Sequence, residues 1–318
     1  MSTVDRACDN RRMCPVSRAL DEHRAAVRER LAASGVVRSG PGSVSWKVNR
    51  EIVVVAGWGR AILMQLAHPL VAAGVAEHSS FRSSPGARLT RLWSTVRAML
   101  SLTFGSNDEL VETAARINSI HDRVSGRLGE AAGAIETGRR YSAHDPALLR
   151  WVHATLLQSV PLTYERLVGP LTAAERDRYC AEAAIMEPLL DIPAGLLPRT
   201  SAQLDAYLDE MRGSGTIAVS ATSRELARAI LFPPGWRVLW PAFRLLQLLT
   251  IGLLPPEIRT GYGFRWTDGD TRALGRWTAA LRRAYRLCPA ALREWPAARV
   301  RQPGVETSQS AHISLRDC

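Results

Sequence analysis

Apolar positions along this chain recur at helical spacing almost from end to end. A charged amphipathic stretch over 20–31 predicts a first helix, and the breaker run Ser39-Gly40-Pro41-Gly42 ends it. Residues 50–66 are apolar on most faces, which predicts a central buried helix. His68-Pro69 breaks it, and Pro69 suits the first turn of the next helix, where its missing N–H costs nothing. Helices are predicted over 85–102 and 107–124, the latter capped by Ser106 or Asn107, with Ile117, Ile120, His121 and Val124 on one face. Asp145-Pro146 is a strong helix start, and the stripe that follows reads Leu149, Val152, His153, Leu156, Val160. Thr172 to Glu175 reads as a capping box opening a helix over 172–190. Further helices are predicted over 200–211, 223–231, 236–251 and 267–285. Val219-Ser-Ala-Thr is too short to be read as a strand.

The pattern therefore predicts an all-α fold. It divides into an N-terminal arm with one amphipathic helix (1–44), a single helical domain (45–299) and a flexible tail (300–318). With 318 residues and 46% hydrophobic positions the chain can bury a substantial core. The net charge of +11 sits at the ends: residues 1–50 hold 10 Lys/Arg against 5 Asp/Glu, and residues 257–318 hold 11 against 6. The near-neutral centre argues against a specific nucleic-acid site, since such sites concentrate cations around themselves. A solvated basic face, with at most weak peripheral contact to acidic lipid, is the simpler reading. No apolar run approaches the roughly 20 residues of a membrane span, and the first 20 residues lack a secretory signal. Five widely spaced cysteines, Cys8, Cys14, Cys180, Cys288 and Cys318, form no zinc or redox motif. Together these predict a cytoplasmic protein.

Chemistry must come from the histidines. His23 and His312 fall in the arms, and His144 reads as a turn residue. His121 and His153 lie on apolar faces, where an imidazole needs a hydrogen bond or a metal. Each alone can be a satisfied core histidine; as a pair on two helices they suit haem iron and its opposite face. No Glu-x-x-His pair supports a dinuclear site. His68 with Glu77-His78 forms a polar island that either caps backbone or lines a pocket. Arg60, inside the most apolar helix, needs a buried partner, either a haem propionate or a carboxylate such as Glu51. Arg116 and Arg123, seven residues apart, share a helical face that is solvated or reaches a propionate or distal ligand.

Four runs carry a family resemblance: Leu63-Met-Gln-Leu-Ala-His68-Pro69 with Gly74-Val-Ala-Glu77-His78-Ser; Ile120-His121-Asp-Arg123-Val-Ser-Gly126; Tyr141-Ser-Ala-His-Asp145-Pro146 through Trp151-Val-His153-Ala-Thr155-Leu; and Gly252-Leu-Leu-Pro255 with Arg259 and Tyr262-Gly. Over roughly 45–295 the chain resembles the bacterial branch of the MpaB-type oxygenase and latex clearing protein superfamily. That resemblance implies an all-helical haem b fold, with the proximal iron ligand at His153 and with His121 and Arg123 near the haem. Beside it, the reading of the residues above gives Arg60, His68 and Arg116 as cofactor-binding candidates. Rubber-cleaving members also use a carboxylate, an arginine and a threonine; Glu77, Arg116 and Arg123 are candidates for the first two. The expected function is a haem-dependent oxygenase acting on an apolar small molecule with dioxygen. The alternative is a haem- or lipid-binding helical protein without turnover.

Overall fold

The computed structural model describes residues 15–78, 85–232 and 240–299. Its first part comprises α1 (Pro15–Ser34), α2 (Val44–Asn49), α3 (Val55–Leu66), α4 (Pro69–His78), α5 (Pro85–Phe104) and α6 (Asn107–His121). A small antiparallel pair follows, β1 (Ser125–Arg127) and β2 (Arg140–Ser142), with Gly126 opposite Tyr141. Then come α7 (Pro146–Leu167), α8 (Ala173–Glu182), α9 (Met186–Leu189), α10 (Ser201–Gly213) and α11 (Ala221–Leu231). The chain continues through α12 (Trp240–Gly252), α13 (Pro256–Gly261), α14 (Asp268–Leu287), α15 (Ala290–Arg293) and α16 (Pro296–Arg299). The fold is all-α, as the periodicity predicts.

The caps behave as their chemistry dictates. Asp145 accepts the Ala147 N–H at 2.9 Å with Pro146 in the first helical position. Ser106 and Thr172 each form a reciprocal capping box, with Glu109 and Glu175. Three boundaries differ from the sequence pattern. The apolar run 50–66 starts with a 3-10 turn over Ile52–Val54, so α3 proper begins at Val55. The 172–190 pattern splits into α8, another 3-10 turn and α9. α6 ends at His121, and Ile120 is exposed, because the buried face is Leu110, Val111, Ala114, Ala115 and Asn118. The β pair was not foreseen: its strands are three residues long and too short for a period-2 signal.

α7 is the axis. Trp151, Ala154, Thr155, Ser159, Val160, Thr163 and Leu167 are all buried along it. α3 lies against it unusually closely. A Cβ on Gly57 would meet Thr163 Oγ1 at 2.6 Å and the Ser159 carbonyl at 2.8 Å, and one on Gly59 would meet Thr250 Oγ1 of α12 at 2.7 Å. One turn on, buried Arg60 donates to the Leu253 carbonyl (2.6 Å), Ser159 Oγ (2.6 Å) and Gln158 Oε1 (2.8 Å). Leu253 follows the end of α12, so the guanidinium meets the negative end of that helix. Burial lowers the Arg60 pKa to about 10, which leaves it charged at neutral pH.

α1 is no loose arm. Val27 is fully buried, α1 packs on α6 and α9, and Arg24 and His23 bond Glu112 and Asp122. The predicted tail, 300–318, lies outside the described residues. Among the described residues no single helix is long and apolar enough to cross a membrane; Ile52–Leu66 and Pro69–His78 reach that apolarity only as a pair bent by 106°.

Two outcomes follow for stability. Gly57→Ala drives a methyl into a backbone carbonyl that cannot rotate away, and should cost about 1–3 kcal/mol in urea unfolding. Gly59→Ala meets only the Thr250 side chain and should cost less. His68 is buried, and its Nδ1 accepts the Leu70 N–H at 3.2 Å, capping α4; burial pushes its pKa down to about 4. A folded pKa below the unfolded value of about 6.5 means the stabilisation is complete above pH 6.5 and is lost as pH falls towards 4. His68→Asn, which keeps an acceptor without a titrating ring, should flatten that slope by up to about 1.4 kcal/mol per pH unit.

Candidate functional site

The candidate site is a pocket of about 130 Å³ beside α7. Its α7 side is His153, Leu156, Leu157 and Val160; His153, Leu156 and Val160 belong to the stripe read from the sequence, and Leu157 does not. α7 is buried nearly all round, and the pocket lies between this part of it and α5. Met99 and Leu102 of α5 and Ile185 and Met186 add aliphatic wall, and Ser45, Asn49, Thr103 and Tyr179 add polar atoms at the border. Arg38 adds a cation. It hydrogen-bonds the Thr103 carbonyl and Asn107 Oδ1, both at 3.3 Å. Glu182 also borders the pocket, but its carboxylate is committed to the Val44 and Ser45 N–H groups at the start of α2.

His153 makes no hydrogen bond among the described residues. Its ring keeps accessible surface where it borders the pocket, while protein surrounds the rest. Burial, and then the nearby His121, push its pKa down to about 4, so the imidazole is neutral with a free ring nitrogen at physiological pH. His121 does not line the pocket. Its ring meets His144 edge-on at 5.7 Å, and its Nδ1 is buried without a partner among the described residues. Burial, and then His144, lower its pKa to about 4 as well. Asp122 accepts from His144 Nε2 at 2.8 Å and from His23 Nε2 at 2.7 Å. Burial alone would raise the Asp122 pKa, but those two hydrogen bonds outweigh it and hold it below its usual value.

The other predicted residues lie elsewhere. Arg60 is pinned to neutral acceptors between α3, α7 and α12, not to Glu51. That carboxylate pairs with Arg50 and Tyr285. His68 caps α4. Arg116 is exposed and pairs with Glu112 one turn back, and Arg123 is exposed. Glu77 accepts from Tyr141 Oη and borders a second, larger space of about 380 Å³ with Glu130, Leu128 and Thr222. That space has no histidine in its lining, and Glu130 is engaged with the start of α11, so the smaller pocket is the candidate. Sequence reasoning missed Arg38, His144, Asp122 and His23. His23 and Asp122 meet across 99 positions, and no local spacing signals such a contact.

The donor set fits a haem: a neutral, unpartnered imidazole, aliphatic walls and one cation. The space as packed is below the ~300–1,000 Å³ usual for small-molecule sites, so a macrocycle needs a wall to move outward. Among the described residues no group of three or more His, Cys, Asp or Glu side chains could hold a metal ion.

Two mycobacterial proteins of uncharacterized function, Mb2261 of Mycobacterium bovis and Rv2237 of Mycobacterium tuberculosis, are each 28% identical over 236 residues, covering 72% of this chain and 87% of the relative. No solved structure gives a significant match. The family model described as ER-bound oxygenase mpaB/B'/Rubber oxygenase, catalytic domain, matches residues 46–284, a span that holds α7, His121 and His153. The chain therefore belongs to the mpaB/rubber oxygenase catalytic-domain family.

Proposed function

We propose that this protein is a haem b-dependent oxygenase acting on an apolar small molecule, with His153 as the iron ligand. The observation that carries the reading is the His153 ring, neutral, without a partner and bordering an aliphatic pocket. When bound, the haem would supply the oxygen chemistry.

The chain's own residues do the rest. A pKa near 4 keeps His153 free to ligate without first losing a proton. Met99, Leu102, Leu156 and Val160 exclude water and would orient an apolar substrate by shape. Arg38 is the partner for a cofactor carboxylate, because its side chain borders the pocket, whereas Arg60 is held by three short hydrogen bonds away from it. His121, behind His153, brings a second neutral imidazole whose buried Nδ1 can donate or accept a proton. Arg123 is retained as a distal candidate only if its exposed side chain turns inward.

The test is colour. Purified protein titrated with hemin should gain a Soret band at one haem per chain, and a wild-type chain that takes up none sinks the reading. His153→Ala should fold with an unchanged melting temperature yet lose most of that band. Arg38→Gln should weaken hemin affinity by roughly tenfold or more, the value of one charge-assisted hydrogen bond. His121→Ala should keep haem but alter the spectrum on adding imidazole. An unchanged spectrum makes His121 an ordinary core histidine.

A further inference from the structure

α14 is an amphipathic helix with its outer side uncovered. Only Thr278 is fully buried along its twenty residues. At 100° per residue, Arg272, Arg276, Arg283 and Arg286 fall within an arc of about 80°. All four are exposed and none has an ion-pair partner among the described residues. The stripe runs for roughly 21 Å along the helix. From Thr271 to Arg293 the sequence has no Asp or Glu to neutralise it, and it adds Arg282 and Arg293. Large apolar side chains flank these cations: Trp277 is 53% exposed, Leu287 86% and Leu292 71%.

A solvated basic face accounts for the arginines but not for the tryptophan and two leucines beside them. Isolated apolar residues are common on surfaces. A tryptophan and leucines bordering an unneutralised arginine stripe instead match the composition of helices that lie in a membrane interface. Guanidinium groups meet lipid phosphates, and the apolar side chains enter the headgroup boundary. Nucleic acid offers phosphates too, but gives Leu287 and Leu292 nothing to bury against.

From this charge complementarity and its apolar border, we infer that the outer face of α14, with the α14–α15 turn, docks on an anionic lipid membrane. The inference is independent of haem and goes beyond the proposed chemistry. The docked helix lies along the surface and spans nothing.

Co-sedimentation of the full chain with vesicles tests it. Vesicles of phosphatidylcholine with phosphatidylglycerol should retain the protein, and phosphatidylcholine alone should not. Retention should fall as salt shortens the screening length from about 10 Å at 0.1 M. Reversing all four charges, R272E/R276E/R283E/R286E, should weaken partitioning at least about tenfold. The four positions are exposed, so circular dichroism should show unchanged melting; should that variant unfold, the four-fold glutamine variant replaces it with the same expectation. Trp277→Ala should also weaken vesicle binding while leaving any salt-sensitive binding to duplex DNA unchanged. Equal retention on both vesicle types, no retention on either, unchanged binding by the charge variants, loss only on deleting 300–318, or tighter binding to DNA than to anionic vesicles would each overturn the proposal.

Discussion

The close approach of α3 to α7 is the constraint on which the architecture rests. Gly57 allows it, since no side chain fits between that position and the Ser159 carbonyl. Closeness of that kind excludes water from the Arg60 guanidinium, which must then find every partner inside the protein. It does so with Ser159 and Gln158 on α7 and the carbonyl just past α12. Three helices are thereby fixed in register by one side chain. A carboxylate partner would have added a second buried charge with its own desolvation cost; a helix end supplies the negative potential without one.

Fixing α7 on that side also sets the face beside it. His153, Leu156 and Val160 lie next to Ser159 and Thr163, turned by roughly 70° about the helix axis, and they border the pocket that α5 closes. The N-terminal segment completes the enclosure. Arg38 and Ser39 line the pocket, and α1, which precedes them, is held to α6 by buried Val27 and by the Arg24–Glu112 pair. A region whose charge pattern suggests a peripheral arm is thus coupled to the site through packing that the pattern does not show.

Much of this was legible in the chain. Asp145-Pro146, Thr172 to Glu175 and Ser106 mark their helix starts because capping is local chemistry. The His153 stripe was legible because periodicity reports a face. Whether that face meets a helix or a cavity depends on the neighbours, and periodicity is silent about those. Arg60 shows the same limit from another direction. The sequence demands a partner for a buried cation, and its identity, a carbonyl 193 positions away, comes only with the fold. Ile120 shares the Ile117–His121–Val124 face by spacing, but it lies at the edge of that face away from Leu110, Ala114 and Asn118, and whether an edge is covered depends on the neighbours.

The pocket's small size also has a physical origin. A cavity lined by aliphatic side chains gains nothing from being open in water, and the walls collapse onto it until packing stops them. Met99 and Met186 are well suited to this, since an unbranched thioether fills irregular space and vacates it at little cost. The α5 wall is the natural one to yield. Met99, Leu102 and Thr103 are only half-buried, and Trp93 further up the helix is exposed, whereas α7 is held by α3 along the face next to the pocket. Ligand binding would then act on α5 and on the Arg38 contacts to Thr103 and Asn107, and leave the His153 backbone in place. For the proposed function, one firmly packed wall carrying the imidazole and one compliant wall carrying methionine would together hold a reactive centre while adjusting to an apolar guest.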